Sequence, residues 1–457
     1  MPYGASGGYN SHGGRRIFAL ELAARYTRDG RYRWGAERLM NFGQARGFSN
    51  GQHHLNAVAL EDIALASLVC DDSISPVEPE SASKLLVRKE IIRLSDAEAK
   101  QMFPDAGGVD CNMFMTQRTM PHKLVFRGGW NPGDLYMLVE CYPRHDPLNP
   151  TAIVGLERYS AAFAEMTSEK FVSRENAVHI QDLSGKAIFL GKKDHRGPQA
   201  LPVGWAGMDS EVPVFSDHAL ASHARLRVTG YRGYNATHER EILFVKNRFV
   251  LVRDATTFDD RFRARVGPIW NTQNVGEPRG GNWLNTWFSG HHFQKTRLYQ
   301  TPPWDLLIWH APRADRQLQV APAEDNPQSG APMLATRYEE EADVEPGQRL
   351  QFVQVLLPHA PLQDASELAG GIRLLLDQPG LAAVSFANAR GSELAILNPD
   401  GKTTTCGEGI ATDARAVYVD CERDEPRQVL AIDGTFLSVR NQDLLRRSSR
   451  GDYEKRP

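Results

Sequence analysis

Residues 130–182 read WNPGDLYMLVECYPRHDPLNPTAIVGLERYSAAFAEMTSEKFVSRENAVHIQD, in the order strand, polar turn, strand, loop, strand. The run Leu135–Tyr142 is apolar, with aromatic and β-branched members, and is short enough for a buried strand. Ala177–Asp182 alternates as a half-buried strand does. Between the first two strands, Arg144-His145-Asp146-Pro147-Leu148-Asn149-Pro150 sets two prolines and an aspartate around one histidine, which is turn chemistry. The stretch thus gathers Arg144, His145, Asp146, Tyr159, Glu165, Glu175 and His179 between apolar strands, where a sheet protein keeps a site. A hairpin loop whose His and Asp only satisfy turn backbone would show the same residues.

Outward from this stretch the helical period nearly vanishes. KLLVRKEIIRL, HKLVFR, KAIFLGK, HARLRVTGY, WDLLIWHA, QRLQFVQVLLPH, LAAVSFAN, SELAILN, RAVYVDC, QVLAID and TFLSV follow as candidate strands. EILFVKNRFVLVRD is the clearest hairpin, with Lys246-Asn247 as its two-residue turn. Many short strands without intervening helices predict a large antiparallel sandwich. Upstream, Ile17, Leu20, Leu22, Ala23 and Tyr26 fall at helical spacing until Asp29-Gly30. Tyr32, Ala36, Leu39, Met40 and Phe42 make a second helix, and NAVALEDIALASLVC a third. Three helices cannot close a helical domain of ordinary size, so they must pack on something else. The fold class expected is α+β, mostly β, in three parts: a helical segment over 1–75, the sandwich over 76–375, and an accessory sheet with a frayed polar tail over 376–457.

The chain has 457 residues and a formal net charge of −3, so no strongly basic face marks it as a nucleic-acid binder. No run reaches membrane-span length. The first residues, MPYGASGGYNSHGG, show neither a charged region nor an apolar one, so no signal peptide is expected there. Five cysteines without a CxxC pair predict mostly buried free thiols, with Cys406 and Cys421 able to bridge in an oxidising compartment. There is no phosphate-cradling glycine loop and no GxSxG nucleophile elbow. No organic cofactor is expected.

Four stretches carry a family likeness: MPYGASGG before the helices, GDLYMLVECYPRHDPLNP, AAFAEMTSEKFVSRENAVHIQDLSG and HEREILFVKNRFVLVRDATTF. With the helix-then-sandwich order, the sequence resembles the C-terminal part of heparinase II/III-like polysaccharide lyases. The resemblance implies the end of an incomplete α/α toroid joined to a multi-sheet sandwich, cutting acidic polysaccharide in a cleft between them. It also implies a periplasmic or secreted location. The family's His-x-His falls on Pro143 and His145, so the zinc-binding His is matched and the catalytic one is not. The other two zinc ligands fall on Glu165 and Glu175, where carboxylates are acceptable ligands for a structural zinc or another divalent ion. Ion pairs with Arg158 and Arg174 are the plainer role for those two glutamates. The toroid helices that usually add an Asn-His pair and a tyrosine have no match here, which fits a truncated lyase or one whose site was lost or remade.

A uronate lyase removes the sugar C5 proton after the neighbouring carboxylate is neutralised, then expels the 4-linked oxygen. Candidates for these tasks are Arg144 as neutraliser and Tyr159 as base or acid, with His145 as either metal ligand or replacement for the missing catalytic His. Tyr234 and His238 are further candidates if they reach the cleft; a tyrosine packed over a strand edge and a solvated histidine are the plainer alternatives. Tyr9 and His12 sit in a loop on the cleft side. Trp270 and Trp283, with Trp287, are expected either as a sugar-stacking platform or as core. The competing functions are a non-catalytic carbohydrate-binding sandwich and, less supported, a glycoside hydrolase with two facing carboxylates. Exposed sandwich edges would allow a homodimer.

Overall fold

A computed structural model describes residues 13–46, 60–79, 83–93, 100–102, 104, 115–131, 133–142, 150–158, 161–164, 176–187, 208–287, 304–323, 333–388, 390–407, 409–423 and 425–456. All strand pairings among them are antiparallel, in four sheets. An N-terminal sheet runs in chain order through β1 (Lys84–Arg93), β2 (Met115–Arg127), β3 (Tyr136–Glu140), β4 (Ile153–Arg158) and β5 (Ala161–Ala164). Beside it lies a four-stranded sheet with β6 (Val178–Asp182) at one edge, then β11 (Phe262–Thr272), β16 (Met333–Val344) and β15 (Gln317–Ala323). The central sheet holds, side by side, β7 (Asp209–Asp217), β8 (Ala221–Thr229), β9 (Ala236–Val245), β10 (Phe249–Phe258), β17 (Arg349–His359), β14 (Asp305–His310), β13 (Trp283–Trp287) and β12 (Asn274–Val275). The C-terminal sheet comprises β18 (Ile372–Gln378), β19 (Leu381–Asn388), β20 (Gly391–Leu397), β23 (Ala416–Glu422), β24 (Glu425–Val439), β22 (Ile410–Thr412) and β21 (Thr404–Cys406), with β25 (Gln442–Lys455) paired to β24.

The central sheet is covered on both faces, which is why its strands read as continuous apolar runs. On one face Ile242, Phe244, Val250, Val252, Phe352 and Leu356 meet Leu124, Phe126, Met137, Val139 and Val178 of the first two sheets. On the other, Leu243, Phe249, Leu251, Val353 and Val355 meet Val384, Phe386, Leu397 and Tyr418 of the C-terminal sheet. The expected class, α+β and mostly β, is the observed one.

The β9–β10 hairpin differs from its expected form. Val245 pairs with Phe249, so Lys246, Asn247 and Arg248 make a three-residue loop. Electrostatics favours this register. A two-residue turn would set Arg240 opposite Arg253 and Glu239 opposite Asp254, whereas the observed pairing sets Arg240 opposite Asp254 and Glu241 opposite Arg253. Asn247 takes the left-handed conformation, φ 61°, which asparagine tolerates. Its side chain accepts from Leu135 N and donates to Asp134 Oδ1, both at 2.7 Å. Gly128 leaves room for it, since a Cβ there would lie 2.0 Å from Asn247 Oδ1.

Helices α1 (Gly13–Thr27), α2 (Gly30–Arg46) and α3 (Leu60–Ser67) pack through Ile17, Ala36 and Ala66. They rest on the sandwich as three helices alone must: Trp34 meets Trp130 edge-to-face at 5.0 Å, and Arg38 donates to the Trp130 carbonyl. A fourth short helix, α4 (Ala365–Gly370), leads into the C-terminal sheet and is capped by Asp364. The polar end of the chain corrects an expectation, because Gln442–Lys455 is strand β25 rather than frayed tail. Arg450 fastens it, donating to Asp433 Oδ1 at 3.1 Å and to the Asp413 carbonyl at 2.8 Å. Cys141, Cys406 and Cys421 are buried free thiols, as composition suggested, and Cys70 is a half-buried one. No helix among the described residues is long and apolar enough to cross a membrane.

Candidate functional site

Tyr9, His12, Arg144, His145, Asp146, Tyr159, Glu165 and Glu175 lie outside the described residues, but the roots of their segments are described. The segment with Arg144 and His145 returns to the fold at Pro150 and Thr151, and the segment with Glu165 and Glu175 returns at Asn176. These roots are adjacent. Ile153 N donates to the Asn176 carbonyl at 3.0 Å, and Asn176 Nδ2 returns a bond to the Ile153 carbonyl at 2.9 Å. Arg158, which precedes Tyr159, is at the opposite end of β4, roughly 20 Å away at strand rise. The chain therefore sets the end of the 143–149 segment beside Asn176, next to Glu175, whereas Ala164, next to Glu165, pairs with Leu156, two positions from Arg158.

One guanidinium ties the gathered roots. Arg240 Nη1 donates to the Thr151 carbonyl at 2.6 Å and to the Asn176 carbonyl at 3.0 Å. Its Nε and Nη2 grip Asp254 Oδ1 and Oδ2 at 2.7 and 2.8 Å. Burial alone would raise the Asp254 carboxyl, yet the Arg240 charge and hydrogen bonds hold it far below the usual carboxylate range. Gln354 Nε2 adds a bond to Asp254 Oδ2 at 2.7 Å, and its Oε1 accepts from Trp270 Nε1 at 2.7 Å. Thr151, Asn176, Arg240, Asp254 and Gln354 are all fully buried, so this is a fixed foundation under the two segments.

Two sequence candidates belong to that foundation instead of a cleft surface. Tyr234 is 3% exposed; its hydroxyl donates to the Ile180 carbonyl at 3.2 Å and accepts from Asp182 N at 3.3 Å. With Tyr231, whose hydroxyl donates to the Val178 carbonyl at 2.8 Å, it supplies bonds along the free edge of β6. Burial pushes the Tyr234 hydroxyl up to about 12, a poor setting for a base. His238 is fully buried, stacked on Tyr231 at 4.3 Å and bonded through Nδ1 to Thr256 Oγ1 at 2.9 Å. It is therefore not the solvated residue expected as the alternative. Burial keeps it neutral, against the pull of Asp254 Oδ1 at 3.3 Å from Nε2.

Trp270 is 1% exposed and is core, not platform. Trp283 and Trp287 are half-buried and share one face of β13, four positions apart. His179, the last residue of the sequence cluster, is described: its Nδ1 lies 3.4 Å from Glu339 Oε1, with both residues buried. Burial lowers the His179 pKa, Glu339 opposes this, and the charges of Arg232 and Arg337 lower it further. Among the described residues no group of three or more His, Cys, Asp or Glu is placed to hold a metal; the expected set His145, Glu165 and Glu175 falls outside them.

Sequence reasoning passed over Arg240, Asp254, Asn176 and Tyr231. The charged ones were visible: Arg240-Glu241 and Arg253-Asp254 stand at equal distances on either side of Asn247, the arrangement of cross-strand pairs about a turn.

Comparison with protein-family models and with curated protein sequences gives no match. Among solved structures the chain is similar to a heparan sulfate lyase HepC mutant of Pedobacter heparinus, at 12% identity and TM-score 0.45, over 81% of this chain and 48% of that one. It is similar to a heparinase III gene product at 11% identity and TM-score 0.42, over 84% and 48%. A galactose 1-epimerase of Lactobacillus acidophilus is similar at 8% identity and TM-score 0.29, over 60% and 99%. The chain spans about half the length of the first two structures.

Proposed function

We propose that this chain acts on uronate-containing polysaccharide or oligosaccharide as a β-eliminating lyase of the heparinase II/III-like kind. The observation that supports the reading is the double anchor of Arg240 on Thr151 and Asn176, which holds the end of the 143–149 segment beside Asn176, the residue after Glu175. In this reading Arg144 neutralises the substrate carboxylate, and His145 accepts the C5 proton where it is not a metal ligand, since one imidazole nitrogen cannot serve both tasks. Tyr159 carries less of the chemistry, because its root is at the far end of β4. A divalent ion on His145, Glu165 and Glu175 is part of the proposal, with metal analysis of the purified chain as its test.

A second reading, a carbohydrate-binding protein without catalysis, is favoured by Pro143 at the position where the family carries its catalytic histidine. The half-buried Trp283 and Trp287 on one face of β13 would suit it. Incubation with a panel of uronate polysaccharides, followed by ultraviolet absorbance of the new double bond, separates the two. The lyase reading expects absorbance that grows with the unaltered chain and collapses in Arg144→Gln and His145→Ala. A flat trace from folded protein that still binds the glycan supports the second reading.

A further inference from the structure

On the face of the four-stranded sheet turned away from the core, His179 of β6 and Glu339 and Arg337 of β16 flank Gly267 of β11. Gly267 lets β16 approach closely: it pairs with His179, and a Cβ on it would lie 2.2 Å from the Tyr338 carbonyl oxygen and 2.6 Å from Glu339 Cα. The imidazole reaches across it to Glu339 at 3.4 Å. Arg337 stands two residues before Glu339 on the same strand, and so on the same face. Its side chain is half-buried, and its Nε is shut away from solvent without a hydrogen-bond partner. Among the described residues its guanidinium makes no hydrogen bond and no ion pair.

A guanidinium has five donors in a fixed fork that matches the two oxygens of a carboxylate, sulfate or phosphate. Leaving a buried donor unmet is costly, more so when it is charged, so the site gains by taking up an acceptor. Glu339 is already turned to His179, so the Nδ1 of the neutral imidazole donates to it and Arg337 is the donor left for a ligand. We propose that Arg337 is a binding site for an oxyanion of the kind an acidic sugar carries. The oxyanion chemistry stands on these residues alone; only the naming of a sugar acid as its source rests on the lyase reading.

The test is calorimetric titration of the full chain with glucuronate, sulfate and phosphate in separate runs. Arg337→Gln should weaken binding about tenfold or more, the loss of one bidentate charge-assisted contact, and Arg337→Lys should fall between. Arg263→Gln, on the same sheet face but paired to Glu341 at 3.2 Å, should bind as the unaltered chain does. Urea unfolding of each variant establishes that it is folded. Saturable binding to any one oxyanion with this order of variants supports the site and names its source. Equal affinity in Arg337→Gln, or no binding of any of the three, overturns it. Because the readout is binding, a chain that binds glucuronate through Arg337 yet yields no absorbance would sink the lyase reading and leave this one standing.

Discussion

Arg240 and Asp254 are direct partners across β9 and β10, joined by two bonds at 2.7 and 2.8 Å with neither side chain exposed. A buried pair of this kind adds little net stability over an apolar pair, but removing one partner strands the other. Here the stranded group would be the one that holds the roots at Thr151 and Asn176.

Asp254→Asn is therefore expected to lower unfolding free energy by about 3–5 kcal/mol, read by urea denaturation. Limited proteolysis should quicken at 143–149 and 165–175 before the rest of the chain. A variant within 1 kcal/mol of the unaltered protein would remove the structural role given to the pair.

Gly267→Ala is expected to destabilise the chain by several kcal/mol. The new Cβ meets main-chain atoms of Tyr338 and Glu339, and these cannot swing aside as a side-chain end can. The change should also disturb the His179–Glu339 contact, so the imidazole resonances of His179 should move more than those of His359, on a different sheet. An unshifted His179 would mean that the glycine does not set that contact.

How much of this was legible turns on period and on charge. The run Phe249–Val252 is apolar on both faces because the central sheet is covered twice, and such a run is easy to read. Met333–Val344 escaped reading because Arg337, Glu339 and Glu341 face outward while Glu340 turns inward to Arg316 at 2.7 Å, which hides the alternation. The three-residue loop at Asn247 escaped because hairpin composition alone does not set loop length. The charges on the two arms would have set it. For the site, the sequence grouped Arg144, His145, Tyr159, Glu165 and Glu175, which lie outside the described residues; of their flanking residues, Thr151 and Asn176 meet through Arg240, while Ala164 and Arg158 stand at the other half of β4.

The free edge of β6 offers a third test. Tyr231 and Tyr234 hydroxyls bond Val178, Ile180 and Asp182 where a neighbouring strand would otherwise do so. Tyr234→Phe leaves buried backbone groups unmet and is expected to cost about 1–3 kcal/mol. Hydrogen exchange at the Asp182 amide should accelerate, while that at the Leu251 amide, deep in the central sheet, should not. Equal exchange at Asp182 in both proteins would mean that the hydroxyl does not protect the edge.

His310 sets a pH dependence whose sign follows from its surroundings. It is 1% exposed, stacked on Tyr338 at 4.5 Å, with a buried Nδ1 that has no hydrogen-bond partner. Burial, with the Arg316 charge adding to it, pushes its pKa down to about 3 from 6.5. Below pH about 6.5 the unfolded chain takes up a proton that the native chain refuses, so stability falls as pH falls and levels off only near the native pKa. The slope is about 1.4 kcal/mol per pH unit, or about 2 kcal/mol lost between pH 7 and pH 5. His310→Phe keeps a ring against Tyr338 and removes the titration. The unfolding free energy of the unaltered chain, measured against that of the variant, should thus drop by about 2 kcal/mol over that interval. Carboxylates and the other depressed histidines, His179, His238 and His359, act in both proteins and cancel in the difference. A difference that stays constant from pH 7 to pH 5 would show that His310 is protonated as readily folded as unfolded, and that its ring is not sealed between Tyr338 and Arg316.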